Sequence, residues 1–222
     1  RNALLLATLF FTSFSYAACA KPDTFREDTV SYRKNQNYQL QTGLYDIYKT
    51  REANIVMLGN SITHGVNWNE LMGRNDIIER GIPSDVLSGF LNRLEYVYKL
   101  KPRFCFVMGG INDIYSGYSA EDVFNEYMKV IEGLRSQGIT PVIQSTLYVS
   151  PKWHDAADKN PEVKKLNALL MKYARDNGIR FMDLNAKMTI DGFLKAELTY
   201  DGLHLNANGY AIWREELEAV LK

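Results

Sequence analysis

Cysteine and histidine are both scarce in this sequence of 222 residues, which contains two of the former and three of the latter. Only Cys105 lies outside the first twenty residues, so a mature chain without that segment cannot form an intrachain disulfide. The cysteines, histidines and acidic residues show no spacing typical of metal ligands. We therefore expect neither a metal ion nor any other cofactor.

An excess of charge of either sign is also absent. Lys and Arg total 26, as do Asp and Glu, so the net charge is zero and no general field attracts nucleic acid or an anionic membrane. Beyond the first twenty residues no apolar run is long enough to span a membrane. Hydrophobic and charged contents of 46% and 23% are typical of a globular domain, which we assign to residues 51–222.

The first twenty residues differ from the rest because they are apolar and uncharged from their second residue to Lys21. Small residues flank Cys19 at the end of this stretch. The pattern predicts a signal peptide over residues 1–20 and export to the periplasm or the extracellular space. Two alternatives are a buried N-terminal helix and a lipid anchor on Cys19, which fits less well because leucine is missing three residues before it.

Strand-like and helix-like segments alternate after a polar lead-in and a first helix, which together occupy residues 21–50. The predicted strands are 54–58, 76–79, 103–108, 141–148 and 179–184. The predicted helices are 38–48, 84–98, 119–136, one from Asn160-Pro161 to Gly178, and 207–221. This alternation predicts an α/β fold in three layers, with helices on both faces of a mainly parallel five-stranded sheet.

Right-handed crossovers bring the carboxyl ends of all parallel strands to one edge of the sheet, which is where ligands bind. Two longer loops, 149–160 and 185–200, would also leave this edge. Four short segments fall there, and they are Gly59-Asn60-Ser61, Arg80-Gly81-Ile82, Gly109-Gly110-Ile111-Asn112-Asp113 and Asp201-Gly202-Leu203-His204. Each alone has ordinary structural explanations, such as a turn or a helix cap. Their joint location at one edge of the sheet predicts a ligand-binding or catalytic site there.

The residue types at this edge suit nucleophilic catalysis. A serine hydroxyl needs a base to remove its proton, and histidine is the usual base near neutral pH. His204 has Asp201 three residues earlier, where both side chains can meet on a turn, whereas His64 has no nearby acid and His154 only an adjacent one. The pattern therefore favours Ser61 as the nucleophile, with His204 as its base and Asp201 as the orienting carboxylate.

Acyl transfer also needs donors for the oxyanion that develops on the substrate. We expect these to be the backbone N–H groups of Ser61 and Gly81 and the side-chain amide of Asn112. A Walker-type loop and a dinucleotide fingerprint are both missing. The G-x-S-x-G elbow of the α/β-hydrolases is absent too, because Thr63 occupies the place of its second glycine.

The four segments, in this order, resemble the conserved blocks of the SGNH hydrolases, also called the GDSL esterase/lipase family, over about residues 54–210. The resemblance implies a flavodoxin-like sheet, ester hydrolysis through an acyl-enzyme, and the same nucleophile, base and oxyanion donors. The sequence departs from the family pattern at Asn60, where Asp is usual, and at Pro83-Ser84, where relatives often have glycine and a polar residue. We expect Asn60 to shape the turn by hydrogen bonds.

Within this family the chain resembles sialate O-acetylesterases and platelet-activating-factor acetylhydrolase-like proteins, and this resemblance implies removal of an acetyl group. The sequence shows no long apolar lid segment, which favours a small acyl group, and aromatic residues at the rim of a site can stack on sugars. We therefore expect an acetylated carbohydrate first, and a small-molecule or glycan partner. We expect substrate contacts from Asn60, His64, Trp68, Trp153 and His154, which lie in or near segments leaving the active edge. The alternative for Trp68 is that it packs inward.

Two other functions stay open. One is a lysophospholipase or thioesterase of the same family. The other belongs to a different class, a non-enzymatic flavodoxin-like module that binds a glycan, or a nucleotide through the turn after the first strand.

Overall fold

The computed structural model describes residues 32–222. The predicted signal peptide and Cys19 lie outside the described residues, so both stay predictions. A 3₁₀ turn at Tyr32–Lys34 precedes α1 (Gln36–Ile47), which begins two residues before the helix predicted over 38–48. Within residues 32–222, no helix combines the length and apolar character that a membrane crossing requires.

A five-stranded sheet forms the centre of the domain, in the order β2-β1-β3-β4-β5. All neighbouring strands are parallel, which confirms the predicted sheet. Its strands are β1 (Ile55–Gly59), β2 (Ile77–Gly81), β3 (Phe104–Met108), β4 (Thr140–Gln144) and β5 (Arg180–Met182). Every residue of β1 is buried, as expected for a strand covered on both faces.

Helices cover both faces of the sheet and complete the three layers. They are α2 (Ser61–His64), α3 (Trp68–Met72), α4 (Leu87–Asn92), α5 (Glu95–Tyr98), α6 (Ile111–Tyr115), α7 (Ala120–Ser136), α8 (Ala156–Asp176), α9 (Asn185–Met188) and α10 (Ala207–Leu221). One layer contains α4, α7 and α8, which contact one another in that order, whereas α10 contacts α3 and α9. The loop predicted over 185–200 also contains a small antiparallel hairpin, β6 (Thr189–Ile190) and β7 (Phe193–Leu194).

Three predicted helix boundaries are confirmed by the residues that cap them. The hydroxyl of Ser119 accepts a hydrogen bond from the backbone N–H of Asp122 at 3.1 Å, which starts α7. Gly138 and Gly178 follow α7 and α8 with φ of +72° and +64°, the left-handed conformation that ends a helix. Local sequence therefore determines these ends.

The single helix predicted from Ser84 was wrong, because the chain forms the two shorter helices α4 and α5 instead. Ser84 has a φ of +61° and does not cap a helix. The first turn of α4 is capped from a distance, since the carboxylate of Asp113 accepts the backbone N–H of Leu87 at 3.1 Å. The helix stops at Arg93, whose buried side chain pairs with Asp85 at 2.8 Å. Tertiary contacts thus set both ends of α4.

The predicted start of α8 at Asn160-Pro161 was also wrong, since the helix begins at Ala156. Pro161 lies inside it, near the N-terminal end, where its missing N–H removes one intrahelical hydrogen bond. The buried side chain of Asn160 instead bonds both the N–H and the carbonyl of Val149, at 3.0 and 2.9 Å, and the carbonyl of Gly192 at 3.0 Å. Asn160 thereby ties two loops at the carboxyl edge of the sheet to α8.

Candidate active site

Ser61 is the first residue of α2, directly after β1 and the N-cap residue Asn60. The side-chain oxygen of Asn60 accepts the backbone N–H of Ile62 at 3.0 Å. Gly59 is needed just before this turn, because a Cβ there would lie 1.9 Å from the hydroxyl oxygen of Thr63. The tight turn therefore holds Ser61, partly exposed, at the carboxyl edge of the sheet.

Asp201 and His204 lie on a turn that a bridge between Thr199 and Leu205 closes. One carboxylate oxygen of Asp201 accepts the backbone N–H groups of Leu203 and His204, at 2.9 and 2.8 Å. The other carboxylate oxygen lies 2.6 Å from Nδ1 of His204. The turn thus fixes both the carboxylate and the imidazole that it orients.

The structure brings Ser61, His204 and Asp201 together although 143 residues separate Ser61 from His204. Nε2 of His204 lies 3.0 Å from Oγ of Ser61, within hydrogen-bond distance. Burial acts to raise the pKa of Asp201, but hydrogen bonds from the His204 ring and two backbone N–H groups outweigh it and leave that pKa below its usual value. Asp201 is therefore ionised at neutral pH, as an orienting carboxylate must be.

Two of the three predicted oxyanion donors are free to act. The backbone N–H of Ser61 makes no hydrogen bond with any residue in the described part of the chain. The amide nitrogen of Asn112 donates one hydrogen to the carbonyl of Asp85 at 2.8 Å, and an amide carries a second hydrogen. This contact with Asp85 holds the Asn112 side chain in place.

The third predicted donor, Gly81, is not free in this structure. Its backbone N–H donates to a carboxylate oxygen of Glu79, two residues earlier on β2. The other oxygen of Glu79 lies 3.5 Å from Nδ1 of His64, and this hydrogen bond raises the pKa of His64 against the opposing effect of burial. We did not predict a role for Glu79, although residues two apart on a strand share a face.

The turn after β2 offers another backbone donor at Ser84. This exposed residue has a φ of +61°, a conformation that usually favours glycine. The backbone N–H of Ser84 makes no hydrogen bond with any residue between 32 and 222. The next residue, Asp85, accepts the Asn112 amide at its carbonyl, so Ser84 is adjacent in sequence to a residue that contacts another expected donor. The departure from the family pattern at Pro83-Ser84 was the sequence signal for this position.

Arg93 ties the two strands that carry the nucleophile turn and the turn after β2. Its buried guanidinium pairs with Asp85 at 2.8 Å and donates to the backbone carbonyls of Gly59 at 2.8 Å and Arg80 at 2.7 Å. All three contacts satisfy a buried charge, which would otherwise be costly. Arg93 therefore supports the relative positions of Ser61 and the turn that contains Ser84.

The structure corrects two of the predicted substrate contacts. Trp68 is only 1% exposed, donates its indole N–H to the carbonyl of Thr63 at 2.8 Å and packs on Trp213 with ring centroids 4.9 Å apart. Asn60 is equally buried and serves as the helix cap. Both residues support the nucleophile turn from inside, so neither is available to a substrate.

Of the other residues expected to contact a substrate, Trp153 lies beside the base and His154 lies next to Trp153. The ring of Trp153 meets that of His204 edge-on at 6.3 Å, and His154 contacts Trp153 at 5.2 Å. Tyr200, which we did not predict, stacks on His204 at 5.9 Å with an interplanar angle of 15°. Its position directly before Asp201 was the only sequence signal.

The described residues contain no group of three or more His, Cys, Asp or Glu side chains that could hold a metal ion. Two cavities, of about 730 and 420 Å³, lie away from the nucleophile. The larger is at the amino ends of β3, β4 and β5, on the opposite edge of the sheet, and the smaller is beside β2. Neither is lined by Ser61, Asp201 or His204.

A parallel α/β sheet with a hydrogen-bonded serine, histidine and aspartate at its carboxyl edge is an arrangement known from serine hydrolases. The chain belongs to the GDSL-like Lipase/Acylhydrolase family, which residues 57–212 match. Membership confirms the resemblance drawn from the four sequence blocks and indicates an ester hydrolase in general.

Solved structures agree with this fold. A GDSL-like lipase from Bacteroides thetaiotaomicron is 25% identical, with a TM-score of 0.74 over 83% of this chain and 97% of its own. A Streptococcus pneumonia protein assigned as a platelet activating factor is 24% identical, with a TM-score of 0.74 over 85% of this chain and 94% of its own. An acetyl xylan esterase is 21% identical, with a TM-score of 0.64 over 76% and 99%. The last two similarities concern the fold alone.

A curated relative is an N-acylneuraminate cytidylyltransferase from Streptococcus agalactiae serotype III, 27% identical over 210 residues. The match covers 88% of this chain and 49% of the relative. The chain thus spans about half the length of the curated relatives it matches, and the activity in their name belongs to those longer proteins.

Proposed function

We propose that this chain is an exported serine esterase that hydrolyses acetyl esters of carbohydrates. The observation that carries the proposal is the hydrogen-bonded series from Ser61 to His204 to Asp201, with distances of 3.0 and 2.6 Å. All three side chains are partly exposed, so an ester can reach them from solvent.

The reaction proceeds through an acyl-enzyme. Nε2 of His204 removes the proton of Ser61, whose oxygen attacks the ester carbonyl. Asp201 holds the imidazole so that Nδ1 carries the other proton, and it stabilises the positive charge that forms on the ring. His204 then protonates the leaving alcohol, and water hydrolyses the acyl-enzyme by the same steps in reverse roles.

The tetrahedral intermediate needs hydrogen-bond donors where its negative charge develops. The backbone N–H of Ser61 and the second amide hydrogen of Asn112 supply two, and the free N–H of Ser84 is the candidate for the third, in place of Gly81. Loss of one such donor typically lowers kcat by about 10²–10³-fold. Asn112→Ala should therefore lower kcat more than it changes KM.

The acyl group and the alcohol are inferred from the relatives and from the surface around His204. One solved structure with this fold is an acetyl xylan esterase, and the curated relative is named for an acylated sugar acid. Aromatic rings, which can stack on the apolar faces of sugars, flank the base. Export rests on the apolar N-terminal stretch before Lys21 and would be tested by N-terminal sequencing of the secreted protein.

The direct test compares the wild type with Ser61→Ala on nitrophenyl acetate and labels both with a fluorophosphonate probe. We expect the wild type to hydrolyse the ester and to be labelled, and the variant to lose both properties. Thr42→Ala, a change in the first helix, is the control for expression and folding. Equal hydrolysis by wild type and Ser61→Ala would reject the proposal.

A panel of substrates separates the proposal from the other activities open to this family. It contains acetylated sugars, a lysophospholipid and an acyl thioester, each measured at the same enzyme concentration. A preference for acetylated sugars supports the proposed substrate. A preference for the lysophospholipid or the thioester would instead show a lysophospholipase or a thioesterase. Ser61, His204 and Asp201 would keep the same roles in either case.

A further inference from the structure

Five aromatic rings form a continuous series along the carboxyl edge of the sheet. In order of contact they are Tyr200, His204, Trp153, His154 and Tyr115, which we call the ring row. Neighbouring rings have centroids 5.9, 6.3, 5.2 and 5.0 Å apart. The base His204 is thus the second member, and it contacts the rings of both Tyr200 and Trp153.

Two members of the ring row are exposed and the other three are half-buried, whereas the aromatic residues of the core are fully buried. Tyr200 is 72% exposed, and the side chain of His154 is 64% exposed. Trp68 and Trp213, by comparison, are almost fully buried. An exposed tyrosine gains little stability from its position, so packing does not explain why Tyr200 lies against the catalytic base.

The backbone holds the ring row in place before any ligand arrives. The N–H of Ser150 donates to the carbonyl of Gly202 at 2.8 Å, which joins the loop before α8 to the Asp201–His204 turn. Gly202 has a φ of +105°, and a Cβ there would lie 2.9 Å from the backbone nitrogen of Trp153. The hydroxyl of Tyr115 donates to the carbonyl of His154 at 2.8 Å. A surface ordered in advance loses less entropy when it binds.

The position of the ring row specifies which part of an ester it faces. His204 gives its proton to the leaving alcohol, so the alcohol must lie next to Nε2 of this residue. The acyl carbonyl lies toward the oxyanion donors, among them Asn112. The rings that flank His204 therefore contact the alcohol portion of the substrate rather than the acyl group.

We propose that the ring row binds a chain of pyranose units, with the acetylated unit beside His204 and neighbouring units on Tyr200 and on Trp153–His154. This inference rests on the proposed function. The flat apolar faces of pyranose rings stack on aromatic rings, and a series of rings suits several linked units. Because His204 contacts rings from two segments of the chain, Tyr200 and Trp153, the enzyme removes acetyl groups from internal units of an oligosaccharide.

The test compares three substrates that differ only in the alcohol portion, namely acetylated xylotriose, peracetylated xylose and ethyl acetate. Tyr200→Ala and His154→Ala should each lower kcat/KM for acetylated xylotriose by about tenfold, the effect of losing one aromatic contact of about 1.4 kcal/mol. Both variants should lower kcat/KM for ethyl acetate much less than for acetylated xylotriose, because ethyl acetate has no sugar unit that contacts the ring row. Tyr200→Phe, which keeps the ring, should behave as the wild type.

Met171→Ala, an exposed substitution on α8, is the matched surface control. An equal change of kcat/KM for all three substrates in Tyr200→Ala, or no change for any, would overturn the proposal. The proposal would also be overturned if Tyr200→Ala lowered kcat/KM for a lysophospholipid as much as for acetylated xylotriose. The rings would then serve as a general apolar surface.

Binding of unacetylated xylotriose, followed by tryptophan fluorescence, separates this inference from the proposed function. If the wild type binds xylotriose about tenfold more tightly than Tyr200→Ala, the ring row is a glycan site even if no acetyl ester is hydrolysed. If acetyl esters are hydrolysed in a Ser61-dependent way but Tyr200→Ala changes neither binding nor kcat/KM, only the present inference fails.

Discussion

Asp201 contacts both the ring and the backbone of His204. One carboxylate oxygen lies 2.6 Å from the imidazole Nδ1, and the other accepts the His204 backbone N–H at 2.8 Å. The carboxylate therefore fixes both the position of the turn and the orientation of the ring. These two effects can be separated by a substitution that preserves one and removes the other.

Asp201→Asn is that substitution. The asparagine oxygen can still accept the backbone N–H groups, but its amide donates to Nδ1 and forces the proton onto Nε2, which then cannot accept the proton of Ser61. We expect kcat for nitrophenyl acetate to fall by about 10⁴-fold. The free energy of unfolding, measured with urea, should change little. A variant with kcat within about tenfold of the wild type would show that Asp201 does not orient the base.

Asn60→Asp should be tolerated, because aspartate keeps the oxygen that accepts the Ile62 N–H at 3.0 Å. We expect kcat/KM to stay within about tenfold of the wild type, equivalent to about 1.4 kcal/mol. Asn60→Ala, the contrasting variant, removes the cap and should lower the free energy of unfolding by about 1 kcal/mol. A larger loss of activity in Asn60→Asp than in Asn60→Ala would mean that the amide has another role.

Gly81→Ala should damage the site even though the Gly81 N–H is occupied. The new Cβ would lie 2.6 Å from the backbone nitrogen of His64 and 2.7 Å from the carbonyl oxygen of Asn60, on either side of Ser61. We expect a loss of about 1–3 kcal/mol in the free energy of unfolding, with kcat/KM reduced at least about tenfold. Gly43→Ala in α1, where no atom lies within 4 Å, is the control and should be neutral or slightly stabilising. Wild-type activity in Gly81→Ala would contradict this account.

Asp113 should make the stability of the domain depend on pH. Burial raises the pKa of its carboxyl to about 7, against the lowering effect of the hydrogen bond from the Leu87 N–H. Between about pH 4 and pH 7 this carboxyl is protonated in the folded chain and ionised in the unfolded chain, so stability falls as the pH rises through this range. Above about pH 7 both states are ionised and the contribution stays constant.

Asp113→Asn removes this titration. Relative to the wild type, the variant's free energy of unfolding should therefore increase as the pH rises from about 4 to about 7, and the difference should then level off. Urea denaturation of both proteins across this range measures it. A difference that does not vary with pH would show that Asp113 keeps an ordinary pKa.

Much of the fold could be predicted because the relevant signals are local. The apolar runs lie within a few residues of the observed strands except at the carboxyl end of β4, and the caps at Ser119 and Gly138 act within their own helix. The spacing from Asp201 to His204 is local too, since a single turn brings the two side chains together. Once the strands are known to be parallel, their carboxyl ends must share an edge, and Ser61 meets His204 there.

What the sequence by itself determined is therefore the alternation of elements, the parallel sheet and the edge on which Ser61, Asp201 and His204 meet. Only the tertiary structure decided that Asp113 starts α4, that Glu79 occupies the N–H of Gly81 and that Trp68 is buried while Tyr200 is exposed. The physical reason is the distance along the chain over which each interaction acts. Periodicity and capping act over a few residues, whereas a buried carboxylate or an indole finds its partner among groups that are close only after the chain has packed.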